Sequence, residues 1–361
     1  MRKRQKKFLE WHLPDENHCQ SELGKLICHL LSRFVCCLRT TPTTYDSYLL
    51  PIMQSQDTSR ILMIRPVHFG FNEQTADSNA FQDSRLAEQS KNLAQEEALQ
   101  EFDAMVQQLR ALGLEIIIYK DTPEPNTPDS IFPNNWVSFH ASGTVVLYPM
   151  QAENRRLERR QDIIDDLSSR FHVSRVVDLT HFEQEGKFLE GTGSLVLDRM
   201  NHVAFASLSS RTHPDVLAEF SRQTGYRVVA FHSADKTGKA VYHTNVMMCI
   251  AESCAIVCLS AITDPDERLM VRQELEKLGK RVFDIALEQM AAFSGNMLLV
   301  KSEKGQKMLV MSTRAYGALT LKQIDQLNEY ATLIHFELFT IENNGGGSAR
   351  CMMTEVHLPR K

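Results

Sequence analysis

Trp136-Val137-Ser138-Phe139-His140 and Thr144-Val145-Val146-Leu147-Tyr148-Pro149-Met150 read as two short strands behind Asn135. A helical pattern follows over residues 155–170, with Leu157, Ile163, Ile164 and Leu167 as its apolar face. Residues 174–179 close the unit as a third strand. The same order returns down the chain. Strands at 194–198 and 202–207 precede a helix at 214–224 and a strand at 226–232. Strands at 246–251 and 255–260 precede a helix at 264–278 and a strand at 281–285. Strands at 297–301 and 308–312 precede a helix at 320–330 and a strand at 334–339. A fifth unit joins the two ends, with 351–356 pairing with 60–65 before a helix at 94–112 and a strand at 115–119.

The repeat of about 50–58 residues predicts a radial array of like units, each too small to bury its sheet alone. Pairing the last strand with the first also removes free sheet edges. The residues just before each hairpin then converge on one axis. They are Phe132-Pro133-Asn134-Asn135, Glu190-Gly191-Thr192-Gly193, His243-Thr244-Asn245, Ser294-Gly295-Asn296 and Gly347-Ser348-Ala349-Arg350-Cys351. The last group puts a thiol beside glycines that let the backbone pass close to a ligand.

Composition narrows the function classes. The 361 residues carry 43% hydrophobic and 24% charged side chains and a net charge of -5, an ordinary globular mix that does not point to nucleic acid. No apolar run reaches the roughly 18 residues of a membrane span. Cys19, Cys28, Cys36 and Cys37 lie early, and Cys249, Cys254, Cys258 and Cys351 later. None has zinc-ligand or CxxC spacing, so no metal is expected and a reducing, cytoplasmic setting is. Residues 1–57 differ from the rest. They open on Arg2-Lys3-Arg4-Gln5-Lys6-Lys7 and carry Leu26-Ile27-Cys28-His29-Leu30-Leu31, which His29 and Arg33 make a poor secretion signal. The expectation is an appended or disordered extension, an upstream start or a short helical segment, ahead of one catalytic domain at 58–361.

Several segments of that domain resemble the guanidino-group-modifying superfamily, the penteins. Pro128-Asp129-Ser130-Ile131-Phe132, Phe188-Leu189-Glu190-Gly191, Ser210-Arg211-Thr212, Tyr242-His243 and the run from Gly347 to Met352 resemble its motifs in order. The run from Ile64 to Glu73 is similar to a citrulline-utilisation subgroup. The resemblance implies a five-bladed α/β propeller of ββαβ repeats and a reaction without cofactor. It implies Cys351 as nucleophile toward a guanidine or urea carbon, since covalent attack splits one hard step into two. His243 would move protons, with an imidazole pKa near 6.5 suiting both directions, and Glu190 would orient it or bind a substrate nitrogen. Asp129 and Phe132 would meet the substrate, and Arg211 and Arg155 would grip its α-carboxylate. Residues 66–82, a long polar loop, would close over the site or anchor the substrate's amino group.

Two positions depart from the family pattern. Asn135 and Asn245 stand where many relatives carry aspartate. An amide donates as well as accepts, so these residues suit a neutral ureido oxygen better than a cation. Citrulline, hydrolysed to ornithine, ammonia and carbon dioxide, is therefore the first expected substrate. Arginine or methylarginine hydrolysis and amidino transfer are the enzymatic alternatives, and a non-catalytic binding module is the third class. The expected partner is a small amino acid, without nucleic acid or membrane. A homodimer is compatible with the sequence, which does not fix the oligomeric state.

Overall fold

The computed structural model describes residues 55–361 apart from 77–78, 80, 83–84, 86 and 88–92. The basic run at Arg2–Lys7, the apolar run at 26–31 and the four early cysteines lie outside the described residues. Gln56 and Asp57 are already part of the body. The Gln56 amide donates to the Leu197 and Ile250 carbonyls, and Asp57 pairs with Lys301 at 3.1 Å.

Among the described residues the hydrophobic runs become fifteen strands, grouped as five three-stranded sheets. β1 (Arg60–Arg65) lies parallel to β2 (Glu115–Lys120), with helix α1 (Ala94–Ala111) between them in sequence. β3 (Val137–Phe139), β4 (Thr144–Leu147) and β5 (Arg175–Asp178) form the next sheet, with α2 (Gln161–Arg170) before its last strand. β6 (Val196–Asp198), β7 (Val203–Leu208), α3 (Pro214–Thr224) and β8 (Arg227–His232) repeat the order. So do β9 (Met248–Ile250), β10 (Cys254–Val257), α4 (Pro265–Lys277) and β11 (Arg281–Asp284). β12 (Leu298–Lys301), β13 (Lys307–Ser312), α5 (Leu321–Asn328) and β14 (Thr332–Phe336) follow. β15 (Thr354–Glu355) then pairs antiparallel with β1, Ile61 opposite Glu355 and Leu62 opposite Thr354.

In every sheet the middle strand pairs antiparallel with the first strand of its unit and parallel with the one after the helix. A helical crossover is what a parallel pair requires. Middle strands are covered on both faces and read as apolar runs, as in Cys254-Ala255-Ile256-Val257. The helices start where local chemistry satisfies their first amides. Asp264 accepts from the Asp266 and Glu267 amides ahead of Pro265, and Thr320 forms a capping box with Gln323.

The expected helix at 155–170 is broken. A short turn (Glu153–Arg156) stops, and α2 begins only at Gln161. Tight bonds from the Leu157 and Glu158 amides to the Asn154 and Arg155 carbonyls end that turn, because Arg155 points inward to Glu158. Leu157 is consequently 52% exposed, not part of the apolar face. The strand expected at 351–356 starts later, because residues 348–353 are spent in turns closed by Cys351 N to Ser348 O and Met353 N to Arg350 O. Residues 246–247, expected at the start of a strand, belong instead to a helical turn (Thr244–Met247).

The first strands of neighbouring units lie together. β3 packs on β15 through a Phe139–Val356 bridge, and β9 packs on both β6 and β12. Short turns precede these strands: Pro133–Asn135, Gly191–Ser194 and Thr244–Met247. The second of these packs against the other two. No helix among the described residues is long and apolar enough to cross a membrane.

Candidate active site

The turns before the inner strands deliver their polar side chains to one cavity of about 250 Å³, counted with the solvent it opens to. Asp129, Phe132, Asn135, Arg155, Arg211, His243 and Cys351 line it, as do Asn79, Tyr242, Gly345 and Gly347. Glu190 stands behind His243, and Asn245 reaches Cys351. All nine residues singled out in the sequence thus meet, although they come from separate units of the chain.

The imidazole is held from one side. His243 Nε2 lies 2.8 Å from Glu190 Oε2, so the carboxylate accepts its proton-bearing nitrogen and leaves Nδ1 unshared with it. Glu190 is fully buried, and its other oxygen accepts from the Gln151 amide at 3.0 Å. Arg211 donates to Glu190 Oε2 at 3.3 Å and lies over the Tyr242 ring. Burial opposes the charge on Glu190, but the Arg211 guanidinium and the bond to His243 hold it well below the usual carboxylate range. Burial pushes His243 down to about 4 against the raising pull of Glu190. The imidazole is therefore neutral at pH 7 and able to accept a proton.

Close backbone approach makes room for this pair. A Cβ on Gly193 would sit 2.4 Å from Asn135 Nδ2 and 2.8 Å from His243 Nδ1. Gly191 has φ +46 and would place a Cβ 2.2 Å from the Asn134 carbonyl. The glycines ahead of Cys351 leave space for Phe132, whose ring would be 2.8 Å from a Cβ on Gly347.

Arg155 does not stand free for a carboxylate. Its guanidinium forks onto Glu158 at 2.8 and 3.0 Å, donates to Asn135 Oδ1 at 2.9 Å, and lies 3.6 Å from Asp129 Oδ2. Burial works against its charge, and Glu158 and Asp129 more than restore it. Asp129 Oδ2 accepts from Asn72 at 2.7 Å, while Oδ1 is buried without a hydrogen-bond partner. Burial raises the Asp129 carboxyl, with Arg155 pulling the other way. Asn135 Nδ2 and Asn245 Oδ1 are likewise buried without hydrogen-bond partners.

Sequence reasoning assigned no role to Asn72, Glu158, Tyr242 or Asn296, although Tyr242 and Asn296 stand in the segments it singled out. Asn72 lies in the expected closing loop, where the signal was only polarity. That loop is pinned to the glycine turn, with Asn79 donating to Gly345 O at 3.2 Å and Gln82 to Asn344 O at 3.0 Å. Tyr242 holds the turn from the other side, its hydroxyl donating to Gly346 O at 2.7 Å. Among the described residues no cluster of His, Cys, Asp and Glu is placed to hold a metal ion.

Residues 65–358 match the family described as N,N dimethylarginine dimethylhydrolase, eukaryotic. Among solved structures the fold is similar to ArgZ, an arginine dihydrolase from the ornithine-ammonia cycle in cyanobacteria, at TM-score 0.66 and 18% identity over 83% of this chain and 41% of that one. The chain thus spans less than half of full-length ArgZ. It covers 99% of the substrate-bound N-terminal domain of ArgZ, with 83% of this chain aligned at TM-score 0.64 and 17% identity. A dimethylarginine dimethylaminohydrolase in adduct with 4-chloro-2-hydroxymethylpyridine aligns at TM-score 0.53 and 16% identity, over 86% of this chain and 100% of that one. At these identities the likeness is one of fold, a mixed α/β architecture shared with pentein enzymes. No curated protein matches the chain in sequence.

Proposed function

The chain belongs to the N,N dimethylarginine dimethylhydrolase family, and from that premise we propose that it hydrolyses the guanidino group of arginine or a methylated arginine through Cys351. Residues 58–361 form the catalytic domain, with the five sheets as blades of a propeller around the cavity. Contacts between neighbouring inner strands support that arrangement.

The observation that carries the substrate class is the unpartnered Asp129 Oδ1 at a residue lining the same cavity as Cys351. Two guanidinium groups, Arg155 and Arg211, face three carboxyl groups, Glu158, Glu190 and Asp129, so the cluster has room for one more cation. A guanidinium supplies both N–H donors and the missing positive charge; a neutral urea supplies N–H donors alone. Citrulline, the first expectation from Asn135 and Asn245, therefore gives way to a cationic substrate. Cys351 Sγ attacks the guanidino carbon after its proton passes to His243 Nδ1. The imidazolium, steadied by Glu190, returns that proton to the departing amine. Water then adds to the thiouronium carbon with His243 as base, and the carbon–sulfur bond breaks.

Asn135 favours one extension of this reading. Its Oδ1 is fixed by Arg155, so the unpartnered Nδ2 is a buried donor beside His243. A guanidinium has nothing to accept that proton, whereas a ureido oxygen does. A second hydrolysis, from the ureido product to ornithine, ammonia and carbon dioxide, would use it; ArgZ, similar in fold, is named an arginine dihydrolase.

The test is a panel of arginine, monomethylarginine, asymmetric dimethylarginine and citrulline, with and without an acceptor amine. Ammonia, methylamines, citrulline and ornithine are measured beside the mass of any adduct on Cys351. Turnover lost in Cys351→Ser supports the reading. Absence of turnover on every guanidino compound, or turnover surviving that substitution, refutes it. Acceptor-dependent product would mark transfer instead.

A further inference from the structure

Asn296 lies in the turn before β12, and the reaction above gives it no task. Its carboxamide is fully buried and fixed at both ends. Oδ1 accepts from the Arg350 amide at 3.0 Å, and Nδ2 donates to the Asn245 carbonyl at 3.0 Å. Those two backbone partners establish which end is nitrogen, so the group 3.3 Å from Cys351 Sγ is a donor. Asn245 Nδ2 approaches the same sulfur at 3.5 Å.

The backbone is bent to put it there. Phe293, a buried residue without glycine's freedom, adopts φ 63 just ahead of the turn, a left-handed conformation that costs free energy. Gly295 passes so close to the neighbouring unit that a Cβ would meet the Val246 carbonyl at 2.3 Å. The cation nearest Cys351 in sequence is turned away. Arg350 donates to the Met353 carbonyl and pairs with Glu355 at 2.7 Å.

We propose that Asn296 is the positioning residue of the nucleophile, holding Cys351 Sγ by N–H donation and favouring its thiolate over its thiol. The proposal rests on the reading of Cys351 as nucleophile. A thiolate is a better acceptor than a thiol, so a fixed amide donor selects the charged form. The proton released goes to the Nδ1 of His243, which lines the same cavity.

The test is the pH dependence of Cys351 alkylation by iodoacetamide in the full-length protein, read on the Cys351 peptide by mass spectrometry. Asn296→Asp keeps the acceptor for Arg350, removes both donors and adds negative charge. Its alkylation midpoint should rise by about one pH unit or more, with about tenfold slower alkylation at pH 7. Its kcat should fall about 100-fold with KM nearly unchanged. Asn296→Ala should shift the midpoint the same way by less, and it serves if the aspartate variant does not fold. A folded variant whose profile superimposes on wild type overturns the proposal, because a merely structural role lowers the melting temperature without moving that midpoint. Should neither variant fold, the wild-type midpoint decides, and a value at or above the ordinary thiol value of about 8.5 overturns it. Shifted alkylation in a protein that turns over no guanidino compound refutes the function but not this inference; turnover with unshifted alkylation does the reverse.

Discussion

Replacing Glu190 by Gln tests the His243 assignment most directly. The side chain keeps its shape but loses the charge that faces His243 Nε2 at 2.8 Å and Arg211 at 3.3 Å. Unit charges about 3 Å apart at an effective dielectric constant of about 20 interact by about 6 kcal/mol. A glutamine oxygen recovers about 2 kcal/mol of this as a hydrogen bond to an ionised partner. About 4 kcal/mol of support for the imidazolium is then lost, or roughly a 1000-fold fall in kcat. The assay is initial-rate ammonia release from the preferred guanidino substrate at pH 7.5, with kcat and KM resolved. Removing one partner of Arg211 also leaves a buried cation undercompensated, so a melting temperature must accompany the rates. A folded Glu190→Gln protein with kcat within threefold of wild type would show that Glu190 does not support a charged His243.

Three further outcomes follow from the same geometry. Gly193→Ala should cut kcat at least about 100-fold in a folded protein, since its Cβ intrudes between Asn135 and His243; near-normal turnover, with circular dichroism confirming the fold, would contradict the packing described. Asp129→Asn should lower kcat/KM for guanidino relative to ureido substrates by about tenfold, the worth of one hydrogen bond to a charged group; an unchanged ratio in competition assays would remove Asp129 from substrate recognition. Burial, helped by Arg199, holds His140 down to about 3 from an ordinary 6.5. Above about pH 6.5 both states keep it neutral and stability is complete; as pH falls toward 3 only the unfolded chain takes up the proton. Stability should drop by about 2–3 kcal/mol between pH 7.5 and 4.5 from this residue alone, and a urea midpoint that stays level over that range would refute it.

The unit order was legible because β9 and β10 are unbroken apolar runs and α3 carries a clear cap and an apolar face of Val216, Leu217 and Phe220. Closure of the terminal sheet was legible from the same count. The lost detail is of another kind. Leu157 has helical spacing, and only the inward turn of Arg155 toward Glu158 expels it. Arg155, expected to grip a substrate carboxylate, meets Glu158 three residues on, and no spacing rule encodes its bond to Asn135. Cys351, His243 and Glu190 stood out by residue type and phase. Asn296 stood in one of the in-phase groups but without a role, because an asparagine in a turn before a strand is ordinary until its two ends are seen tied to Arg350 and Asn245. The charge balance that favours a guanidinium was hidden for the same reason. It depends on which arginine meets which carboxylate, and the sequence supplies only the totals.

Because Asn135, Glu190, His243, Asn296 and Cys351 each precede a strand of a different sheet, no fragment of the body would carry the whole of the proposed centre. Loosening any one sheet removes a group that the others cannot replace. Turnover is therefore a gauge of the whole assembly's integrity. In rising denaturant it should vanish no later than the first of the five sheets to melt.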